Sequence, residues 1–118
     1  MSFQLSLNEG KFLVELARKA VAEYLKTGKS IRVPENVLKK LQQLSGVFVT
    51  INSVKNGEKE LRGCIGYPYP TTPLAQAVIE SAISSATQDP RFYPLSLSEL
   101  DHVCLLYTSD AADEEDSV

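Results

Sequence analysis

Two side chains able to do chemistry stand two residues apart in the run Leu61-Arg62-Gly63-Cys64-Ile65-Gly66. Arg62 offers a fixed positive charge and a planar fork of donors suited to carboxylate or phosphate. Cys64 offers a thiol, which in electropositive surroundings becomes a nucleophile or a metal ligand. Gly63 and Gly66 permit positive φ, or let another backbone or a ligand approach closely. Cys64 and Arg62 are therefore the candidate catalytic residues. The candidate binding surface comprises Leu61, Arg62, Gly63, Cys64, Ile65, Gly66, Tyr67 and Arg91. A structural reading competes. Free cysteine is among the most buried residue types, and a Gly-Cys-Ile-Gly strand end can simply pack under a helix. Strand alternation puts Arg62 and Cys64 on one face and Leu61, Gly63 and Ile65 on the other. If the second face is the core, the thiol lies beside Arg62 on the accessible side.

The remaining polar candidates are fewer. Arg91, in Asp89-Pro90-Arg91-Phe92, could join Arg62 around an anionic ligand. Alternatively, Asp89-Pro90 ends a helix, Phe92 plugs the core and Arg91 pairs with a carboxylate. Tyr67 and Tyr69, alternating with Pro68 and Pro70, could line a groove or cap the sheet edge in a rigid turn. Glu80 falls on the polar side of a helix, and His102 is read as structural or exposed rather than as a base. Cys64 and Cys104 form no CxxC pair, and with the single histidine they make no zinc set. No metal or cofactor is expected.

These residues need elements to position them. Ser6-Leu7-Asn8-Glu9 reads as a capping box. Leu13, Leu16, Ala17, Ala20, Val21 and Tyr24 then recur at helical spacing, which predicts a helix from Asn8 to Thr27 closed by Gly28. Pro34 opens a shorter helix, Glu35 to Leu44, with Val37, Leu38, Leu41 and Leu44 on one face. Gly46 to Val54 is β-branched and aromatic, Asn56-Gly57 marks a tight hairpin turn, and a return strand runs from Glu60 to Ile65. The prolines after Gly66 end that strand. Thr72 and Pro73 read as N-cap and N1 of a helix reaching Thr87, with Leu74, Ala77, Val78, Ala82 and Ile83 as its stripe. Ser96-Leu97-Ser98-Glu99 is a second capping box, set before one helical turn and a strand that never arrives. The expected class is α+β, a central antiparallel sheet flanked by helices and incomplete at the C-terminus.

The 118 residues fit one domain. No stretch approaches the roughly 20 apolar residues of a membrane helix. The N-terminus lacks a basic and apolar leader, so the expected compartment is cytoplasmic. The formal charge is −3, but residues 104–118 hold five acids and no Lys or Arg. Without them 12 basic residues face 10 acidic ones, so charge gives no indication of nucleic-acid binding. Cys104-Leu105-Leu106-Tyr107-Thr108-Ser109-Asp110-Ala111-Ala112-Asp113-Glu114 resembles the in-frame translation of a transposon-type sequencing-library adaptor. On that reading residues 1–103 are the N-terminal part of a domain, and 104–118 are a non-native tail standing outside the fold.

Leu61-Arg62-Gly63-Cys64-Ile65-Gly66 resembles the hexapeptide of the AMMECR domain family, also called AmmeMemoRadiSam system protein A in bacteria and archaea. Gly46-Val47-Phe48-Val49-Thr50, Pro73-Leu74, Asp89-Pro90-Arg91-Phe92 and Glu99-Leu100-Asp101 resemble the family's other landmarks, so the likeness spans residues 6–103. It implies a prokaryotic α+β protein with a central sheet and a smaller lobe. It also implies partners: a Memo-type protein and a radical SAM enzyme, in a modification pathway. It does not by itself imply a reaction. Two functions follow as alternatives. In one, Cys64 is a nucleophile or carrier helped by Arg62. In the other, the Leu61–Gly66 face of a non-catalytic module docks a partner or substrate. The sequence leaves the oligomeric state open.

Overall fold

The computed structural model describes residues 7–34, 39–67, 71–109 and 116–117. The chain folds as α1 (Leu7–Thr27), a 3-10 turn (Lys39–Gln42), β1 (Val47–Lys55), β2 (Glu58–Tyr67), α2 (Leu74–Thr87), a second 3-10 segment (Leu97–His102), β3 (Val103–Ser109) and the two-residue β4 (Asp116–Ser117). The strands form one antiparallel sheet in the order β2-β1-β3-β4. This is the expected α+β architecture.

α1 buries Leu13, Leu16, Ala17, Ala20 and Val21, the stripe its spacing predicts. Gly28, at φ 74°, closes it by donating its N–H to the Tyr24 carbonyl at 2.7 Å. The Ser6 cap lies outside the described residues. Arg18 reaches from α1 to the carbonyls of Leu100 and Val103, at 2.8 and 2.6 Å, and so fixes the entrance to β3.

Of the second predicted helix, residues 35–38, with Val37 and Leu38, lie outside the described residues; Lys39–Gln42 form a 3-10 turn, and Gln43 and Leu44 are not helical. Leu41 is buried but Leu44 is exposed. The backbone leaves the helical path because it pairs with the start of α2: Leu44 bridges Pro73, and Leu74 N–H donates to the Gln43 carbonyl at 2.8 Å. That bridge also moves the cap. Pro73 occupies the N-cap position at φ −54° and ψ 141°, not N1, and no side chain caps the helix. Its carbonyl accepts the Ala77 N–H at 2.8 Å. The predicted stripe of α2 is buried throughout.

Asn56 and Gly57 both have positive φ, 53° and 80°, as a type I′ hairpin turn requires. The return strand runs farther than predicted, to Gly66 and Tyr67. Tyr69 and its flanking prolines lie outside the described residues. The register steps from Ile51↔Gly63 to Asn52↔Leu61, which leaves Arg62 as the extra residue of a β-bulge.

The expectation that no further strand follows residue 103 does not hold. Val103–Ser109 pairs with β1 along its length, from Ser53↔Val103 to Val47↔Ser109. Burial alternates along the run at period two, with Val103, Leu105 and Tyr107 turned inward and buried. Residues 104–109 therefore lie inside the fold, whatever their resemblance.

Both helices pack on the sheet face that carries Val47, Val49 and Ile51. The other face follows from the register. One row across the strands is Gly66–Phe48–Thr108, the next is Cys64–Thr50–Leu106, and the third is Leu61–Asn52–Cys104. None of these nine residues is charged.

Candidate functional site

The motif strand is held by side chains on three sides. From above, α2 presents Ser81 and Ser85, one turn apart and buried. Ser81 Oγ accepts the Val49 N–H at 3.2 Å and donates to the Ile65 carbonyl. Ser85 Oγ accepts the Ile65 N–H at 2.8 Å and donates to the Val49 carbonyl at 2.7 Å. Two hydroxyls thus bridge the Val49↔Ile65 pair of β1 and β2. Such proximity requires a residue without a side chain beneath the helix. A Cβ on Gly63 would lie 2.2 Å from the Ser85 carbonyl oxygen. Gly66 serves the opposite face, where a Cβ would meet the Phe48 ring at 2.1 Å.

The segment after α2 forms the second side. The carboxylate of Asp89 is buried, with only 3% of its side chain exposed. It accepts the Cys64 N–H at 3.0 Å, the Arg91 N–H at 3.0 Å, and two guanidinium donors of Arg91 at 3.0 and 2.8 Å. The Arg91 side chain holds the Asp89 carboxyl far below the usual carboxylate range; its backbone N–H and that of Cys64 act the same way, and burial opposes them. Arg91 also approaches the Cys64 carbonyl at 3.5 Å.

The third side is made by Arg62. Its guanidinium pairs with both oxygens of Glu99, at 3.1 and 3.2 Å, and donates to the Tyr93 carbonyl at 2.9 Å. The pair lowers the Glu99 carboxyl below its ordinary value. Glu99 also closes the predicted capping box by accepting the Ser96 N–H at 3.1 Å. Phe92 lies between the two arginines, with the Arg62 and Arg91 guanidinium carbons 5.9 and 5.5 Å from its ring centroid.

The bulge changes which residues share a face. Leu61 does not lie with Gly63 and Ile65 on the helix side. It turns to the open face, where it is 42% exposed, in line with Cys64. The Cys64 thiol is half-buried there, and its Sγ shares a 3.3 Å hydrogen bond with Thr50 Oγ1. Arg62, as the bulged residue, is drawn instead to Glu99, with 17% of its side chain exposed. The structure therefore brings Arg62 and Arg91 together around Phe92, each engaged by its own carboxylate. Arg91 takes the pairing foreseen as the alternative to ligand binding. Tyr67 is tied to α2, its hydroxyl 2.9 Å from Ser84 Oγ.

His102 stands elsewhere. With Glu58, Glu60 and Lys55 it lines a recess of about 640 Å³ at the hairpin end, which Cys64 does not reach. Among the described residues no group of three or more His, Cys, Asp or Glu side chains could hold a metal ion, and no helix is long and apolar enough to cross a membrane. Sequence reasoning passed over Thr50, Ser81 and Ser85. Ser81 and Ser85 had a readable signal, two hydroxyls at i and i+4 within an apolar helix. The hold of Asp89 and Glu99 on the motif depends on tertiary contacts that local spacing does not encode.

Comparison with known proteins fits this arrangement. The family model described as AMMECR1 matches residues 14–107, through most of β3. A protein of Thermofilum pendens is 49% identical over 106 residues, covering 85% of this chain and 50% of that protein. One of Pyrococcus abyssi is 52% identical over 95 residues, covering 80% and 46%. The crystal structure of an uncharacterized protein from Pyrococcus horikoshii superposes with a TM-score of 0.79 at 48% identity, covering 85% of this chain and 50% of that one. The chain spans about half the length of these relatives. With its motif strand, hairpin, α2 and post-helical corner all inside the matched region, the chain belongs to the AMMECR1 family.

Proposed function

We propose that this chain is a binding module whose Leu61–Gly66 face docks another polypeptide or a substrate, working with a Memo-type protein and a radical SAM enzyme in a modification pathway. One observation carries the reading. The charges around the motif are engaged within the fold, Arg62 by Glu99 and Arg91 by Asp89, while the face bearing Leu61, Cys64 and Gly66 is uncharged and open. Such a face suits apolar contact rather than ion capture. The test is capture of a Memo-type protein by the full chain. Leu61→Glu and Phe48→Glu, both at exposed positions, should abolish capture while leaving the melting temperature nearly unchanged. Undiminished capture by both variants would refute the role of this face.

A second reading has its own support. The backbone of Cys64 is held at its N–H by Asp89 and at its carbonyl by Arg91, and its thiol is held by Thr50 on the open face. A thiol so fixed suits a nucleophile or carrier. Mass spectrometry of chain recovered from cells that contain the partner enzymes should then find a covalent adduct on Cys64, absent in Cys64→Ser. Full function of Cys64→Ser in those cells would eliminate this reading.

A further inference from the structure

Among the described strands β2 stands at one edge of the sheet, paired with β1 on one side alone. Its outward N–H and C=O groups therefore need partners from elsewhere or from water. The register identifies them. Lys55↔Glu58 closes the two-residue turn, so Glu58 and Glu60 bond inward to β1, and the Ser53 hydroxyl reaches the Glu60 carbonyl on that side. Lys59 and Leu61 then turn their backbone groups outward, and beyond the bulge at Arg62 the outward residue is Cys64. The two halves of this edge differ. At Cys64 side chains take the place of a neighbouring strand: the Asp89 carboxylate accepts the N–H at 3.0 Å, and the Arg91 guanidinium stands 3.5 Å from the carbonyl. Such a cover, like the bulge beside it, closes an edge to other chains. Neither extends to the hairpin end. Glu58, Lys59, Glu60 and Leu61 are all exposed, and no described group bonds the outward N–H or C=O of Lys59 and Leu61. Alternation places Glu58 and Glu60 on the face with Ser53 and Lys55, where they line the recess beside His102. Among the described residues neither carboxylate has an ion pair.

We propose that the hairpin half of this edge takes an extended peptide with alternating basic residues as an added antiparallel strand, which ends at the Asp89–Arg91 cover. The peptide backbone completes the outward groups of Lys59 and Leu61, the main-chain part of strand addition. Its Lys or Arg side chains stand across from Glu58 and Glu60, over the recess, where opposite charges on neighbouring strands attract. The positions between them lie beside Lys59 and Leu61, and an apolar side chain there covers Leu61, which is 42% exposed. This site is an edge rather than the open face of the sheet, and it stands whether or not that face docks a partner.

The probe is an acetylated, amidated heptapeptide of alternating valine and lysine, beginning and ending on valine, added to the full chain. Amide hydrogen exchange read by NMR should slow about tenfold at Lys59 and Leu61, while Glu60, already bonded to β1, stays unchanged. Methylating the valine nitrogens, which face β2 in the antiparallel register, should abolish the protection. Methylating the lysine nitrogens, which face away, should leave it. Glu60→Lys should weaken binding about fivefold and shift the preference to a peptide with glutamate in place of lysine. Unchanged exchange at Lys59 and Leu61 with millimolar peptide overturns the proposal. Equal protection by the two methylated peptides also overturns it, since that is attraction between charges without a strand. Protection of the parent chain by the glutamate peptide as strong as by the lysine peptide overturns it as well, because the partner is then not selected by its charge.

Discussion

Gly63 and Gly66 look equivalent in the sequence but should respond very differently to a methyl group. In Gly63→Ala the new Cβ would stand 2.2 Å from the Ser85 carbonyl oxygen and 3.1 Å from its carbon. Those are backbone atoms in the last turn of α2, and no rotamer can move them. Reaching ordinary contact requires the helix to retreat by about 1 Å, in an interior packed as densely as a crystal. The retreat would also stretch the Ser85 bonds to Ile65 N–H and the Val49 carbonyl, now 2.8 and 2.7 Å. Overpacking of this kind costs about 1–3 kcal/mol, and weakening the buried hydroxyl bonds adds about 1 kcal/mol. The entropy lost from the unfolded chain returns about 0.5–1 kcal/mol. The net expectation is a loss of about 2–3 kcal/mol, or roughly 10 °C in melting temperature for a domain of this size. In Gly66→Ala the obstacle is the ring of Phe48, a side chain 45% exposed that can swing away into solvent. There the penalty should stay below about 1 kcal/mol. Urea denaturation of both variants, followed by circular dichroism, measures the difference. Equal losses, or a larger loss at Gly66, would refute the view that Gly63 exists to admit α2.

Other substitutions test the same frame. Ser85→Ala should cost about 1–3 kcal/mol, because it leaves buried backbone groups unpaired; combined with Ser81→Ala in a double-mutant cycle, the losses should not add, since both hydroxyls serve one strand pair. Asp89→Ala removes the acceptor of the Cys64 N–H and the partner of a half-exposed arginine, and chemical denaturation should report a loss of about 2 kcal/mol. The folded Asp89 carboxyl titrates below its unfolded value, so its stabilisation is complete above the ordinary aspartate range and is lost as pH falls through that range towards the folded value. Melting temperatures between about pH 7 and pH 2 should therefore fall less steeply in Asp89→Asn than in the parent. Tyr107→Ala, at a side chain 1% exposed, should cost about 3–5 kcal/mol in the same denaturation assay if β3 closes the core, and an unaffected stability would place residues 104–109 outside it after all.

Much of the fold was legible because it is locally encoded. The period of Leu13 to Tyr24, the Asn56-Gly57 turn, the stripe of Leu74 to Ile83 and the Ser96–Glu99 box each depend on neighbours a few residues away, and each appears as read. The misreadings have non-local causes. Pro73 became a cap because Leu44 bridges it from 29 positions earlier, which also ended the helix expected to include Leu44. Leu61 changed faces because a bulge at Arg62 shifts the alternation, and nothing in Leu-Arg-Gly announces one. β3 was set aside for its resemblance although Val103 to Tyr107 is a continuous apolar run of strand length, of which Val103, Leu105 and Tyr107 are the buried face. Around the motif, the sequence named the thiol and the two arginines as candidates. Their settings come from Glu99 and Asp89, which lie 37 and 25 residues from the groups they hold on β2.

The paired hydroxyls of Ser81 and Ser85 bear on how the chain reaches this state. A tight turn usually lets a hairpin zip early, since its contacts are close in sequence. Here the centre of the hairpin depends on hydroxyls 16 to 36 residues away from the groups they bond. The turn end at Lys55↔Glu58 can form alone, but the Val49↔Ile65 pair is completed only when α2 has arrived. The hydroxyl bonds that complete the centre of the motif strand therefore exist only where α2 is seated on the sheet, so the local geometry at Cys64 and the packing of α2 are energetically one unit.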